Sequence, residues 1–223
     1  MDHTIPEGYF GHNIEPIGYH DLNGRPAFKL ALQEVNGRWY LYLAHLWHRG
    51  WSILDVTDPT APEFVAHIPG PENTWTIQIQ VADGKMITGL ERIAPGWGGI
   101  AEAPFSEGFL IWDVSDPTKA RLLGQFHTGS TGTHRNFYDG GNWVHAAAAA
   151  PGFNGKIYRI VDIADPSQPR EAGRFWLPEQ ADGAVKTGLK LSCHGPAHVE
   201  GNRAYLPYGD GGGIIVDVSD FAR

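Results

Sequence analysis

The sequence predicts an all-β fold, a β-propeller of four-stranded antiparallel blades with about four blades in this chain, and three observations carry that expectation. A phrase of the form apolar-apolar-apolar-Asp-Val-x-Asp-Pro recurs, ending at Asp55-Val56-Thr57-Asp58-Pro59, Asp113-Val114-Ser115-Asp116-Pro117, Asp162-Ile163-Ala164-Asp165-Pro166 and Asp217-Val218-Ser219-Asp220. Its steps of 58, 49 and 55 residues suit one four-stranded blade better than a solenoid turn. Ahead of each phrase stand two strand-like runs joined by a tight-turn pair, namely Asn36-Gly37, Asp83-Gly84, Gly140-Gly141 and Glu200-Gly201. Such pairs supply the positive φ of a hairpin turn.

Each element follows from this grammar. In the first unit Phe28 to Val35 and Trp39 to Ala44 flank the turn, Trp51 to Asp55 is the third strand, and Glu63 to Ile68 is the fourth. The second unit repeats it with Trp75 to Ala82, Met86 to Leu90, Phe109 to Asp113 and Arg121 to Phe126; the third supplies Tyr158 to Asp162 and Glu171 to Trp176. Proline after the second aspartate sets φ and cannot donate to a ladder, so it punctuates. The units span about 13–70, 71–128, 129–178 and 179–223, after a tail of residues 1–12. The fourth stops at Arg223, where its outer strand is due, while Ile14 to Tyr19 reads as an outer strand without a blade. Either that segment closes a four-bladed ring, which removes exposed edges, or the chain is the front of a larger propeller with further C-terminal blades. The absence of a proline after Asp220 tilts the balance toward the second.

Composition excludes several classes. With 42% hydrophobic and 12% aromatic residues the chain can bury a substantial core. A net charge of −8 and no basic run argue against nucleic acid. No stretch approaches the roughly 18 apolar residues of a membrane span, and the first residues lack a secretory signal. A lone Cys193 permits no internal disulfide, so the chain reads as soluble and cytoplasmic. There is no Gly-x-Ser-x-Gly elbow, phosphate loop, dinucleotide fingerprint or Cys-x-x-Cys pair. Cys193 and His194 are strand neighbours that point to opposite faces, which disfavours a nucleophile and base pair.

The repeated phrase resembles that of the LVIVD repeat family of bacterial and archaeal β-propellers, over nearly all of the chain after residue 13. The resemblance implies the propeller fold and little about activity, because the motif residues are structural. Members are generally longer than this chain, which favours the larger-propeller reading.

Function is expected on the face that carries the long, varied connections. Seven residues before the hairpin glycines Gly141 and Gly201 stand His134 and His194, so two units place an imidazole at the same entry to their innermost strands. His45 and His48 lie where the second strand of unit one ends, on that face. These four are the candidate ligands of a divalent ion, zinc, iron or manganese, since imidazole is the commonest such ligand and a catalytic ion keeps an open position for water. Glu91 and Asp210 are candidate bases and Arg135 the candidate electrostatic clamp. Trp47 and Trp97 are candidate walls for a ring-containing molecule, whereas Trp51, Trp112 and Trp143 belong to interblade packing. His145 and His198 are expected inside strand bodies, and His3, His12, His20, His67 and His127 in solvent. The four repeated aspartates are expected to build turns. Together these features predict a metal-dependent enzyme, a hydrolase or lyase acting on a small, partly aromatic substrate. The alternative is a non-catalytic propeller that binds a protein or ligand, with self-association left open.

Overall fold

Each unit of the computed structural model, which describes Gly8 and residues 11–220, begins as a hairpin and grows outward by one strand at a time. The first sheet runs β1 (Ala27–Val35), β2 (Arg38–His45), β3 (Trp51–Asp55), β4 (Glu63–Ile68), and the second β5 (Thr74–Ala82), β6 (Lys85–Arg92), β7 (Gly108–Asp113), β8 (Arg121–Phe126). The third holds β9 (Thr133–Phe137), β10 (Trp143–Ala148), β11 (Ile157–Asp162) and β12 (Arg170–Phe175). The fourth holds three strands among the described residues, β13 (His198–Glu200), β14 (Arg203–Pro207) and β15 (Gly213–Asp217). Neighbours in every sheet are antiparallel and consecutive, and the four sheets are β-propeller blades. No helix of the described residues is long and apolar enough to cross a membrane.

The repeated phrase makes the same turn each time. Asp55, Asp113, Asp162 and Asp217 each accept, through Oδ1, the backbone N–H two residues on, at 2.8–3.0 Å. The aspartate three residues later repeats the device at Asp58, Asp116 and Asp165. The spare oxygen of the first aspartate takes a guanidinium, from Arg38, Arg121 and Arg170 in the first three blades. Two consecutive side-chain turns thus carry the chain from third to fourth strand without a long loop, with a single 3₁₀ turn, Pro117–Lys119, in the second blade.

Repetition also governs the outer pair. Register slips between Ile53 and Leu54, between Ile111 and Trp112, and between Ile160 and Val161, the same repeat position in three blades. The extra residue lies on the outer strand, at Val65, Leu123 and Ala172, and such a bulge sharpens the local twist. Val65 and Leu123 pack into the cores between blades.

Blades stick together face to face. Tyr42, Trp51 and Ile53 of the first meet Ile79, Met86 and Leu90 of the second in one buried cluster, with Trp51 and Trp112 rings 6.0 Å apart. Phe109 and Ile111 meet Val144 and Val161 between second and third blades. Ala147 and Tyr158 meet Ala204, Leu206 and Tyr208 between third and fourth. Polar staples reinforce the apolar contact: Asp83 of the second hairpin accepts the Gly141 N–H of the third at 2.7 Å.

The expected orphan strand forms no ladder. Ile14 to Tyr19 is irregular, its backbone pressed onto the first blade, where a Cβ added at Gly18 would lie 1.8 Å from the Pro59 carbonyl oxygen. Gly124 of β8 makes the same approach to the Pro166 oxygen of the third blade, at 1.9 Å. The segment therefore occupies, against the first blade, the place that an outer strand takes against its neighbour. His3 and most of the predicted tail, with residues 221–223 of the last unit, lie outside the described residues.

Several histidines differ from expectation. His20 is buried, accepts the Leu22 N–H at Nδ1 and stacks on Phe64; His67 is half-buried within reach of Ser52. Both sit over the apolar face of the first blade rather than in solvent, whereas His127 is exposed beside Glu107. Trp143 is 39% exposed and so packs less than expected, and His198 is exposed with its ring 6.1 Å from Phe137 and from Tyr205.

His145 is buried on β10, with Nδ1 2.7 Å from the Tyr158 hydroxyl and the two rings nearly parallel. Burial pushes its pKa down to about 4. Between about pH 6.5 and that value the unfolded chain binds a proton that the folded chain refuses, so stability falls as pH falls. The loss over this window is on the order of 3 kcal/mol. Urea titrations at pH 7, 5.5 and 4 should resolve it, and His145→Gln should flatten the slope; equal slopes would remove His145 from the account.

Candidate functional site

Backbone pairing across blades brings the polar groups of the loop face together. At the end of β6, Glu91 bridges to Gly132 in the connection before β9, and Arg92 N donates to Thr131 O at 2.9 Å. Gly132 has φ +105° and an added Cβ would lie 2.1 Å from Leu90 O, so a side chain there would push the two segments apart. The bridge sets Glu91 beside His134, the second residue of β9. On the far side Cys193 N donates to Lys156 O at 2.8 Å and His194 N to Pro207 O at 3.1 Å, which seats Lys156 next to His194.

The charges then interlock. Glu91 Oε2 lies 2.6 Å from His134 Nδ1, and Glu91 Oε1 lies 2.8 Å from Lys156 Nζ. Burial alone would raise the Glu91 carboxyl, but the hydrogen bonds and charges of His134 and Lys156 outweigh it and hold the group below the usual carboxylate range. The His134 and His194 ring centroids are 4.9 Å apart. Partial burial, with the neighbouring His134 ring and the charges of Arg135 and Lys156, depresses His194 below the ordinary histidine value. With Nδ1 engaged by Glu91, His134 keeps Nε2 for other partners; that atom is shielded and unpartnered.

These groups line a cavity of about 510 Å³ between blades two, three and four. Its apolar wall is Trp75 and Trp97, edge to face at 5.9 Å, with Ala94 and Pro95. Trp97 comes from a short 3₁₀ turn, Pro95–Trp97, closed by Gly98 in the left-handed region. Arg92 is fixed by the Ala101 carbonyl and the Phe105 ring. A larger cavity of about 730 Å³ lies over the apolar face of the first blade, walled by Leu41, Leu43, Leu54 and the segment at Ile17. It lacks a comparable convergence of paired ionisable groups, so the chemistry points to the smaller one.

Of the residues expected here, His134, His194, Glu91 and Trp97 line this cavity. His45 does not: it is buried in the first blade, with Nδ1 3.0 Å from Pro26 O and Nε2 2.8 Å from Ser52 Oγ, so both nitrogens are taken. His48 and Trp47 are exposed on the β2–β3 connection and line no part of it. Arg135 follows His134 on β9 and so points the other way, its guanidinium 5.9 Å over the Phe28 ring. Asp210 caps a turn by accepting Lys190 N at 2.8 Å. No three His, Cys, Asp or Glu side chains among the described residues come together as a cation-holding group. Cys193 is buried, which pushes its thiol up to about 12, away from His194.

Lys156 and Thr131 were not legible as site residues; Lys156 has no repeat equivalent to mark it. Trp75 stands beside the mouth-facing loops in the sequence, but only Trp47 and Trp97 were expected as pocket walls, and the structure adds Trp75 to Trp97. The two-residue bridge of 91–92 to 131–132 carries no sequence signature except Gly132.

A model of the LVIVD repeat matches residues 103–128, 152–176 and 197–223. The first unit is outside these stretches although it makes the same aspartate turn. No curated protein matches the chain. Among solved structures the chain is similar to a β-1,2-mannobiose phosphorylase from Listeria innocua, in complex with β-1,2-mannobiose. The two are 14% identical over 85% of this chain and 57% of that one, at a TM-score of 0.41. This chain thus spans less than two thirds of the phosphorylase. It is also similar to the GH43_1 enzyme from Xanthomonas citri complexed with xylotriose, 15% identical over 93% of this chain and 73% of that one, at a TM-score of 0.43.

Proposed function

We propose that this β-propeller chain, which carries LVIVD repeats at residues 103–128, 152–176 and 197–223, is an enzyme, a hydrolase or lyase that works by acid–base chemistry on a small ring-containing molecule in the cavity between blades two, three and four. One observation carries the reading: a buried, ionised Glu91 grips Nδ1 of His134, which leaves Nε2 as the reactive nitrogen, next to a second imidazole. A carboxylate so placed fixes the tautomer and stabilises the imidazolium when a proton arrives. His194, held neutral near pH 7 by its surroundings, is the group that accepts a proton from water or from a carbon acid. Lys156 places a positive charge where an oxyanion would develop. Trp75 and Trp97 wall the ring and exclude water.

A second reading keeps the ion expected from the histidines. Ring centroids 4.9 Å apart are compatible with both imidazoles donating to one divalent ion at the usual metal–nitrogen length of about 2 Å. Glu91 would then serve as the outer carboxylate that orients a ligand, a common partnership. With both Glu91 oxygens engaged, water and substrate would complete the ion's coordination.

One experiment separates the two. A panel of aryl esters, amides and β-eliminating acids is offered to the native chain with and without a chelator, alongside elemental analysis. Acid–base chemistry predicts turnover unaffected by chelation and reduced about 100-fold or more by His134→Gln and by His194→Gln. Stoichiometric zinc, iron or manganese, lost together with activity on chelation, would select the metal reading. Equal rates in native protein and both variants would remove catalysis from this cavity altogether.

A further inference from the structure

We propose that the molecule taken by this cavity is an organic oxyanion, a carboxylate or phosphate carried on a ring, and this rests on the functional reading just given. The whole chain has a net charge of −8, yet the cavity mouth is cationic. Lys156 and Arg92 line it. Among the lining side chains Glu91 is the one carboxylate, and its two oxygens already serve His134 and Lys156.

Unmet hydrogen bonding points the same way. Trp75 Nε1 and Arg92 Nε, both in lining side chains, are shielded from solvent and have no partner. Each is a donor with no accepting ability, so only an acceptor satisfies it. Leaving such a donor buried and unpaired costs about 1–3 kcal/mol, and native structures keep few of them. A neutral apolar ligand would fill the tryptophan wall and leave the donors and charges unanswered. An oxyanion on a ring answers both: oxygens for the cations and N–H groups, a flat body for the indoles.

Tryptophan-fluorescence titration of the intact chain tests this with three probes, phenylacetate, phenyl phosphate and the neutral isostere phenylacetamide. At least one anion should bind saturably and ten-fold or more tighter than the amide, and which one does so identifies the oxyanion. Arg92→Met and Lys156→Met should each weaken that anion about ten-fold while leaving the amide unchanged; Trp97→Ala should weaken every probe. Should Lys156→Met unfold, the comparison of anion with amide on the native chain still decides. Equal affinity for anions and amide, or no saturable binding by any probe, would overturn the proposal. Binding needs no turnover, so an anion that binds to a chain inactive on every substrate would sink only the catalytic reading.

Discussion

Glu91→Leu is expected to lower the melting temperature by roughly 10 °C, because it strands the Lys156 ammonium and leaves His134 Nδ1 without its partner. The native carboxylate is 6% exposed and touches His134 at 2.6 Å and Lys156 at 2.8 Å, both in the same partly buried pocket. Removing one member of such a group leaves an uncompensated charge, at a cost of about 3–5 kcal/mol. A chain of this size loses about 2–4 °C per kcal/mol. Glu91→Leu with Lys156→Met should recover part of the loss, since the stranded ammonium is then gone. The pH dependence gives an independent check. Although burial works against it, the folded carboxyl lies below its unfolded value, so the stabilisation is present above about pH 4.3 and drains away as pH falls through the lower folded value. The variant should therefore lose less stability than the native chain between pH 5 and the acid limit. Identical melting curves at pH 7 for native protein and Glu91→Leu would show that the carboxylate is not holding the pocket.

Gly108→Ala should be comparably damaging for a reason confined to the backbone. Gly108 opens β7 at φ +92°, and an added Cβ would lie 1.8 Å from the Phe126 carbonyl oxygen at the end of β8. Neither atom can swing aside as a flexible side chain would. A positive φ is itself unfavourable for alanine, and the clash forces β7 from its neighbour, for a loss on the order of 4 kcal/mol. Gly213→Ala is the control. It also opens a third strand, but an added Cβ meets nothing within 4 Å and φ is not positive, so its stability should stay within about 0.5 kcal/mol of native. Chemical denaturation of the two variants side by side measures the difference; a Gly108→Ala midpoint equal to that of Gly213→Ala would refute it.

Much of the scaffold is written in local chemistry and therefore readable. The outer strands Glu63–Ile68 and Arg121–Phe126 coincide with the expected segments, because Asp-Pro turns on one side and loop glycines on the other leave them no other extent. The aspartate turns were foreseeable for the same reason: acceptor and donor are two residues apart. What escaped involves contacts between strands. The bulges at Val65, Leu123 and Ala172 depend on how two strands slip past one another, and no residue type marks them. The site divides along this line. His134 and His194 were visible because repeat equivalence places backbones, whereas His45, at a plausible height on its blade, turns inward to Pro26 and Ser52 because its rotamer answers to buried neighbours. Lys156 enters through a loop contact that periodicity cannot express.

The pocket draws Glu91 from the second blade, His134 and Lys156 from the third and His194 from just ahead of the fourth. Chains of repeats are held chiefly by nearest-neighbour interfaces, and such interfaces open before the repeats themselves melt. Heating should therefore erase ligand capture while the ultraviolet signature of the strands survives. Conversely, a bound molecule would act as a rivet through three modules, raising the temperature at which they part.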